Sequence, residues 1–280
     1  MKIQYLGTGG GAGIPEMFCS CRICENARRR QGRELRNRHM AVIDDVLCID
    51  LPCDARSSFL AQGVDAQKIR YLLVTHSHYD HFLADNLISR PEGAQPIELF
   101  ISRGSGKEIF KKSEKYRNAP VRPGVRPVCA PEIHFVEPFK PFACGSYSVT
   151  PLLAHHDPAV ESLNYLIASE ETAILWLHDT GPLLPQTADY LKGIHQHIQF
   201  VSMDCALPYG KYISEEHMDI LQGRETIDLL REFGRVDERT LVYLSHIGHL
   251  VDCTHEELAK QAQTFGFHAA YDGAVINIGQ

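Results

Sequence analysis

The chain has no excess of basic residues, since 28 lysines and arginines stand against 35 aspartates and glutamates, a formal net charge of −7. Nucleic-acid binders neutralise phosphates with a basic surface, so this balance argues against a general nucleic-acid partner. No apolar run approaches the roughly 20 residues that cross a bilayer, and the first residues show no signal-peptide pattern. We therefore expect an intracellular, cytoplasmic protein without a membrane partner.

Internal repeats, low-complexity segments and long linkers are also missing. Apolar residues make up 44% and charged residues 22% of the 280 positions, which is ordinary for a globular protein that buries a large core. Strand-like apolar runs alternate with helical patterns along the chain, among them a hairpin around Asp44-Asp45 and a helix over Glu215–Glu232, while the signals from Phe82 to Pro138 are mixed. The sequence therefore predicts one domain over residues 1–280, of the α/β class, built from two sheets with outer helices.

The glycine-rich stretch Gly7–Gly13 lacks the features of a dinucleotide-binding fingerprint, because no clear helix follows it and Pro15 interrupts where one should run. Glycine allows tight turns and close backbone approach. We interpret the stretch as a loop that folds tightly or passes close to a metal site, with a phosphate cradle as the alternative.

Three histidines and an aspartate lie within Thr75–His81, directly after an apolar run that is typical of a buried strand. Alternate residues of an extended backbone share a face, so His76 and His78 can point to one spot. Asp80 and His81 follow after a turn and can point to a second spot nearby. Imidazole and carboxylate groups bind borderline divalent metals. The segment predicts two metal ions side by side; unrelated surface or core histidines are the alternative.

Further ligand-type side chains follow directly on strand-like runs later in the chain: His156, Asp179, Asp204 and His246. Strand ends from one edge of a sheet can converge on a single site. Asp50 and Asp204 are interpreted as partners that orient the ligand imidazoles, with a loop or capping role as the alternative.

Nine cysteines are present, and three of them fall within the six residues from Cys19 to Cys24. In a chain without a secretory signal, such clustering favours metal over disulfide. The other six are scattered, and we expect them to be small buried residues: Cys48, Cys53, Cys129, Cys144, Cys205 and Cys253.

Six arginines fall within the eleven residues Arg28–Arg38. A solvated helix or loop face is the usual meaning of such a run. The alternative is a patch that attracts a phosphorylated substrate, because guanidinium groups suit phosphate.

The histidine segment resembles the His-x-His-x-Asp-His signature of the metallo-β-lactamase superfamily, and the later His156, Asp179 and His246 come in the order that this superfamily uses. The resemblance covers most of the chain and is thin between residues 90 and 140. It implies a four-layer αβ/βα sandwich in which two mixed sheets are flanked by helices.

The resemblance also implies how the donor groups divide between two ions. One ion would be held by His76, His78 and His156, the second by Asp80, His81 and His246, and Asp179 would bridge the two. His155 is the alternative to His156. Asp157 and His178 are expected in the second shell or in loops.

Within the superfamily, the chain is most similar to the phosphodiesterases of the bacterial carbon–phosphorus lyase pathway, which act in phosphonate metabolism. These enzymes hydrolyse 5-phosphoribosyl 1,2-cyclic phosphate to ribose 1,5-bisphosphate. The segments that carry this likeness are Cys19-x-Cys21-x2-Cys24, Met203-Asp204-Cys205, Glu216-His217-Met218-Asp219 and Ser245-His246-Ile247-Gly248-His249.

This second resemblance implies an enzyme, a metal-dependent phosphoric diester hydrolase with a small phosphorylated sugar as substrate, and a homodimer. Attack would come from a metal-activated hydroxide that Asp80 orients, while His217 assists the leaving oxygen. The paired ions would be manganese, zinc or nickel. A structural zinc in a small loop at about 17–26 would be held by Cys19, Cys21, Cys24 and His249, a closed tetrahedral set.

Other functions fit the same signature, since a fold alone does not settle the substrate. A tRNA 3′-end endonuclease would need a protruding basic arm, which the charge of −7 argues against. Thioester or β-lactam hydrolysis predicts neither the cysteine cluster nor His217. A non-catalytic metal-binding sensor would be expected to have lost some of the seven ligand positions, all of which carry competent side chains here.

Overall fold

The computed structural model describes residues 1–88, 93–117, 130–208, 215–250 and 252–279. Within these ranges the chain forms fourteen strands and seven α-helices in two seven-stranded mixed sheets. The helices are α1 (Arg22–Arg30), α2 (Ala55–Ala61), α3 (Ala84–Ile88), α4 (Lys107–Arg117), α5 (Pro185–Gly193), α6 (Ile220–Glu232) and α7 (His255–Thr264).

The two sheets divide the chain nearly in half. The first seven strands are β1 (Lys2–Gly7), β2 (Met40–Ile43), β3 (Leu47–Ile49), β4 (Tyr71–Leu73), β5 (Glu98–Ile101), β6 (Glu132–Phe135) and β7 (Phe142–Cys144). The others are β8 (Tyr147–Leu153), β9 (Leu163–Ala168), β10 (Ala173–Leu177), β11 (Phe200–Asp204), β12 (Leu241–Ser245), β13 (His268–Ala269) and β14 (Val275–Asn277). The strand order of the first sheet is β14-β1-β2-β3-β4-β5-β6, and that of the second sheet is β13-β12-β11-β10-β9-β8-β7. The last strand of the chain thus joins the first sheet, and β7 joins the second.

Both faces of the sheets are covered, which explains the nearly continuous apolar runs of the strands. In β10, Ile174 and Trp176 lie in the core between the sheets, while Leu175 and Leu177 lie in the core under the outer helices. Helices α2, α3 and α4 cover the first sheet, and α1, α5, α6 and α7 cover the second. The predicted four-layer sandwich is confirmed.

Several predicted elements are confirmed within a residue or two. The hairpin around Asp44-Asp45 forms between β2 and β3, and both turn residues have positive φ angles, 48° and 64°. The segment from Phe82 to Pro138, where the sequence signals were mixed, supplies α3, β5, α4 and β6 in its described parts. None of the described helices is long and apolar enough to cross a membrane.

The histidine segment follows the end of β4 at Leu73, as expected, and the side chains of His76 and His78 point to one spot. Two expectations about local structure are wrong. The pattern over Glu215–Glu232 predicts a helix, but α6 begins at Ile220, because Asp219 forms a capping box with Gln222 and so fixes the helix start. The strand ends that approach one another come from both sheets, since β4 belongs to the first and β8, β10, β11 and β12 to the second.

The scattered cysteines divide as well. Four of them are buried as expected, namely Cys48, Cys144, Cys205 and Cys253, whereas Cys53 is exposed. Cys53 follows Pro52 in the turn that precedes α2, where the chain has left the sheet. Cys129 lies outside the described residues.

Candidate metal centre

Seven ligand-type side chains form two groups of donor atoms at the edge where the two sheets pack together, and Asp204 and His217 form a third group with Asp179 and His246. The first group comprises His76, His78, His156 and Asp179, and one donor atom from each lies within 4.8 Å of the others. His76 Nε2 is 3.0 Å from His78 Nδ1, which is 3.3 Å from His156 Nε2. Three imidazole nitrogens and a carboxylate oxygen at these spacings suit a single divalent ion.

The second group comprises Asp80, His81, Asp179 and His246, also with donor atoms within 4.8 Å. His81 Nε2 lies 3.0 Å from Asp179 Oδ2, 3.2 Å from His246 Nε2 and 3.3 Å from Asp80 Oδ2. Asp179 Oδ2 also lies 3.2 Å from His76 Nε2. One carboxylate oxygen therefore stands between the two groups, as a bridging ligand would.

Three residues of the site have backbone conformations that non-glycine residues rarely adopt. Asp50, Asp179 and His246 have φ angles of 62°, 50° and 61°, and each stands within two residues after the end of a strand. Such conformations cost roughly 1–3 kcal/mol each and persist where the surroundings impose them. The chain thus turns sharply at the strand ends, and these turns direct side chains into the site.

Asp50 and Thr75 lie beside the Nδ1 atoms of His81 and His76 and orient these two imidazoles. Asp50 Oδ2 lies 2.8 Å from His81 Nδ1, and the Thr75 hydroxyl donates to Asp50 and lies 3.1 Å from His76 Nδ1. With Nδ1 of His81 donating to Asp50, its Nε2 lone pair faces the site. The predicted orienting position of Asp50 is thus what the structure shows, whereas the part of Thr75 was missed.

Asp204 occupies a similar place under the other side of the site. Its Oδ2 lies 3.2 Å from His246 Nδ1 and 3.2 Å from His217 Nδ1, and its Oδ1 accepts from the backbone N–H groups of Ala206 and Met218. His217 Nδ1 also lies 3.2 Å from Asp179 Oδ1. One buried carboxylate therefore holds both a ligand-type histidine and His217, whose side chain remains 26% exposed.

The pKa shifts follow from this mixture of burial and charge. Burial lowers the pKa of His76 to about 3, which keeps it in the neutral form that binds metals. Burial alone would lower the pKa of His81. The nearby carboxylates, of which Asp50 has the largest effect, raise this pKa well above its usual value. In the same way, Asp204 and Asp179 overcome burial and raise the pKa of His217 to about 9. Asp179 is held ionised, because His246 and its neighbours outweigh the effect of burial and lower its pKa.

The glycine-rich loop passes directly over the second group. A Cβ atom on Gly10 would lie 3.4 Å from the His246 ring, and one on Gly11 would lie 3.3 Å from Asp80 Oδ2. Larger side chains at these positions would press against the ligand groups. The structure thus places this loop close to the site, as one interpretation of the sequence expected.

The cysteine segment forms a separate cluster. The Sγ atoms of Cys19, Cys21 and Cys24 and a nitrogen of His249 lie within 4.8 Å of one another. His249 Nδ1 is 3.6 Å from Cys19 Sγ and from Cys21 Sγ, and its Nε2 is 3.1 Å from Glu16. Three sulfurs and one nitrogen at these distances suit a closed tetrahedral zinc site, with Glu16 orienting the imidazole. Glu16 was not singled out from the sequence.

Three neighbouring residues lie outside the donor groups. His155 Nδ1 is 3.3 Å from the Pro182 carbonyl, so this imidazole is turned away from the cluster that contains His156. Asp157 Oδ2 lies 3.3 Å from His78 Nε2, on the side opposite the donor atom. His178 is buried behind the site and bonded to Ser202.

The arginine run does not form one surface. Arg36 is buried and donates to Thr8 and to the Ala270 carbonyl, and Arg28 donates to the carbonyls of Cys19 and Glu16. Arg38 donates to the Gly11 carbonyl at 2.9 Å. These three arginines therefore brace the glycine-rich and cysteine loops.

Comparison with known proteins places the chain in a family. A family model described as "Beta-lactamase superfamily domain" matches residues 48–247. An octanoyltransferase of Porphyromonas gingivalis is 25% identical over 276 residues, covering 98% of this chain and 51% of that protein. The chain therefore spans about half the length of this curated relative.

Solved structures show the same fold. A diphosphatase from the PhnP family shares 21% identity and a TM-score of 0.74, over 98% of this chain and 96% of that one. Zinc-bound PqqB from Methylobacterium extorquens shares 16% identity and a TM-score of 0.73, over 99% and 100%. The short form of human tRNase Z shares 16% identity and a TM-score of 0.70, over 100% of both chains.

Proposed function

The chain belongs to the beta-lactamase superfamily, and we propose that it is a phosphodiesterase that uses two divalent metal ions to hydrolyse a cyclic phosphodiester of a pentose. The first candidate substrate is 5-phosphoribosyl 1,2-cyclic phosphate, hydrolysed to ribose 1,5-bisphosphate. The observation that carries the proposal is the position of His217, held by Asp204 beside two groups of metal-donor atoms that share Asp179.

The residues present fit a pair of ions such as manganese, zinc or nickel. His76, His78 and His156 would hold one ion, Asp80, His81 and His246 the other, and Asp179 both. When bound, two such ions lower the pKa of a water molecule to about 7 and neutralise charge on a phosphodiester.

The protein's own side chains would position and protonate the reacting groups. The Nδ1 of His217 faces Asp204 and Asp179, so its Nε2 is the atom available to give a proton to the leaving oxygen. Asp80 would accept a hydrogen bond from the attacking water. Asp204 acts through His217 and His246, and is a positioning residue.

A tRNA 3′-end endonuclease is the main alternative, because the tRNase Z structure has the same fold. The net charge of −7 gives no general support for gripping an RNA, since phosphate contacts need basic side chains. Hydrolysis of a thioester is a second alternative, and the name of the octanoyltransferase relative suggests an octanoyl thioester as one candidate substrate. A non-catalytic metal sensor is a third alternative. A homodimer, a cytoplasmic location and a part in phosphonate metabolism are further proposals that rest on the resemblance alone.

The test is a substrate panel with metal analysis. The purified chain, loaded with manganese, zinc or nickel, is offered 5-phosphoribosyl 1,2-cyclic phosphate, bis(p-nitrophenyl) phosphate, a precursor tRNA, a lactoyl thioester and an octanoyl thioester. We expect hydrolysis of the first two and loss of that activity on chelation. Turnover of only the tRNA or only a thioester would overturn the proposal.

A further inference from the structure

A cavity of about 810 Å³ opens beside the first donor group, and His156 and Asp157 belong to its lining. Pockets of this size are typical sites for small molecules. Val136 and Leu163, two apolar side chains from the core between the sheets, form part of the wall, which suits the carbon face of a sugar. A substrate whose cyclic phosphate meets His156 would therefore place its pentose in this cavity.

The loop after β5, which carries Arg103, is tied to the loop that leads away from His156. The Gly104 N–H donates to the Glu161 carboxylate at 2.5 Å. Between His156 and Glu161 the chain makes one turn of 3₁₀ helix at Pro158–Val160, which rises about 6 Å. A pentose with a phosphate at each end can span a gap of this size, so one substrate can reach from the metal-donor groups to the Arg103 loop.

The Arg103 side chain lines the same cavity and is stacked on an aromatic ring. Its guanidinium carbon lies 4.9 Å from the centre of the Phe135 ring. Gly106 leaves room for this ring, because a Cβ atom there would lie 2.6 Å from Phe135. A guanidinium that stacks on a ring face keeps the N–H groups at its edge free for hydrogen bonds. Arg103 is also the single Lys or Arg among the described lining residues, so a second anionic group of a substrate would find its positive partner here.

The carboxylates of the lining leave this guanidinium available. Glu137 is paired with Lys140 at 2.5 Å, and its pKa is lowered mainly by Lys140 and less by Arg103. Glu161 is bonded to the backbone of the Arg103 loop, and Asp157 faces a ligand histidine. None of the ion pairs among the residues that the structure describes involves Arg103.

We infer that Arg103 binds the second phosphate of the substrate, the 5-phosphate of the phosphoribosyl compound. The two metal ions of the proposed function would neutralise the cyclic phosphate, and the second phosphate needs a positive group of its own. A guanidinium can donate two parallel hydrogen bonds to phosphate oxygens. Arg103 is exposed, so a phosphate bound to it at the rim of the cavity keeps part of its hydration. This assignment rests on the proposed phosphodiesterase function and names the residue that makes the 5-phosphorylated compound the better substrate.

The first test compares 5-phosphoribosyl 1,2-cyclic phosphate with ribose 1,2-cyclic phosphate on the metal-loaded protein. We expect kcat/KM to be about tenfold higher for the 5-phosphorylated compound, mainly through a lower KM, because the second phosphate adds binding without changing the reacting bond. An equal or lower kcat/KM for that compound would overturn the inference and leave the phosphodiesterase function standing. Failure to hydrolyse either compound would overturn the proposed function, and the inference with it.

Two variants then locate the effect. In Arg103→Gln we expect KM for the 5-phosphorylated compound to rise about tenfold, with kcat within twofold and with unchanged kinetics on ribose 1,2-cyclic phosphate. Arg103→Lys keeps the charge without the planar fork and should give an intermediate KM. The matched control is Arg56→Gln, which makes the same change at an exposed arginine of α2 outside the lining. An unchanged KM in Arg103→Gln, or an equal rise for both compounds, would show that Arg103 does not bind the 5-phosphate.

Discussion

The two metal-type clusters of this chain are built in opposite ways. The cysteine cluster takes three of its four donors from the six residues Cys19–Cys24, and only His249 comes from elsewhere. The paired cluster takes its seven donors from positions between His76 and His246: four lie in the segment after β4, and the other three follow the ends of β8, β10 and β12. The first depends on a local turn, whereas the second depends on the assembly of both sheets.

The two clusters also differ in the chemistry of their donor atoms. Three thiolates and one imidazole suit zinc in a closed shell, while imidazoles and carboxylates suit a wider range of ions and leave room for a substrate. The two clusters are joined through the segment after β12, where His246 belongs to one and His249 to the other. Between them, Ile247 N donates to Thr8 O and Gly10 N donates to Ile247 O. A structural metal would therefore support the loop that crosses the reactive site.

The bridging carboxylate is the point where the paired cluster is most sensitive. Asp179→Ala removes the oxygen shared by both groups, and we expect loss of at least one paired ion and a fall in phosphodiesterase kcat of about 10³-fold or more. Elemental analysis should still find the one zinc equivalent of the cysteine cluster. Asp189→Ala, on an exposed face of α5, is the control. Retention of both paired ions would contradict the bridging position.

His217 separates proton donation from metal binding. In His217→Ala we expect about a 10²-fold to 10⁴-fold lower kcat on a substrate with a poor leaving group, with metal content unchanged at both clusters. The effect should shrink for bis(p-nitrophenyl) phosphate, whose leaving group needs little protonation. His195→Ala, an exposed histidine, is the control. Loss of a paired ion would instead make His217 a ligand.

The cysteine cluster should matter for stability more than for chemistry. Cys21→Ser removes one thiolate while its hydroxyl can still cap the N-terminus of α1, so we expect the loss of about one zinc equivalent and a lower Tm that reflects the lost metal. The paired ions should remain, with kcat reduced only a few-fold. Cys53→Ser changes an exposed cysteine and should alter neither quantity. A variant with normal zinc content and Tm would show that the cluster binds no metal.

The smallest effect is expected at Asp157. Its carboxylate lies 3.3 Å from His78 Nε2, and both side chains are 36% exposed, so solvent weakens the contact. We expect Asp157→Asn to lower the affinity for one paired ion about tenfold, as measured by titration against a chelating dye. Asp189→Asn is the control. An affinity unchanged within twofold would mean that Asp157 does not orient His78.

Local patterns in the sequence predict two sheets with outer helices and mark the histidine and cysteine segments, whereas the four-layer sandwich and the division of the donors between two ions are implied by the family resemblance. Apolar runs mark strands, and His76–His81 and Cys19–Cys24 are short enough to be recognised alone. The parts of Thr75 and Glu16 could not be predicted in this way, since a hydroxyl or carboxylate beside an imidazole becomes visible only when distant segments meet. The start of α6 was misplaced because Asp219 was not recognised as a helix cap. Arg36 was grouped with surface arginines because nothing local distinguishes its burial.

The central claim is that one chain holds a paired metal centre and a separate closed zinc site. Anomalous scattering from crystals of the metal-loaded protein, recorded on both sides of the relevant absorption edges, tests it most directly. The account predicts three peaks per chain. One peak lies on each side of the Asp179 carboxylate, and the third, from zinc, lies among Cys19, Cys21, Cys24 and His249. A single peak at Asp179, or a peak between His217 and Asp204, would contradict it.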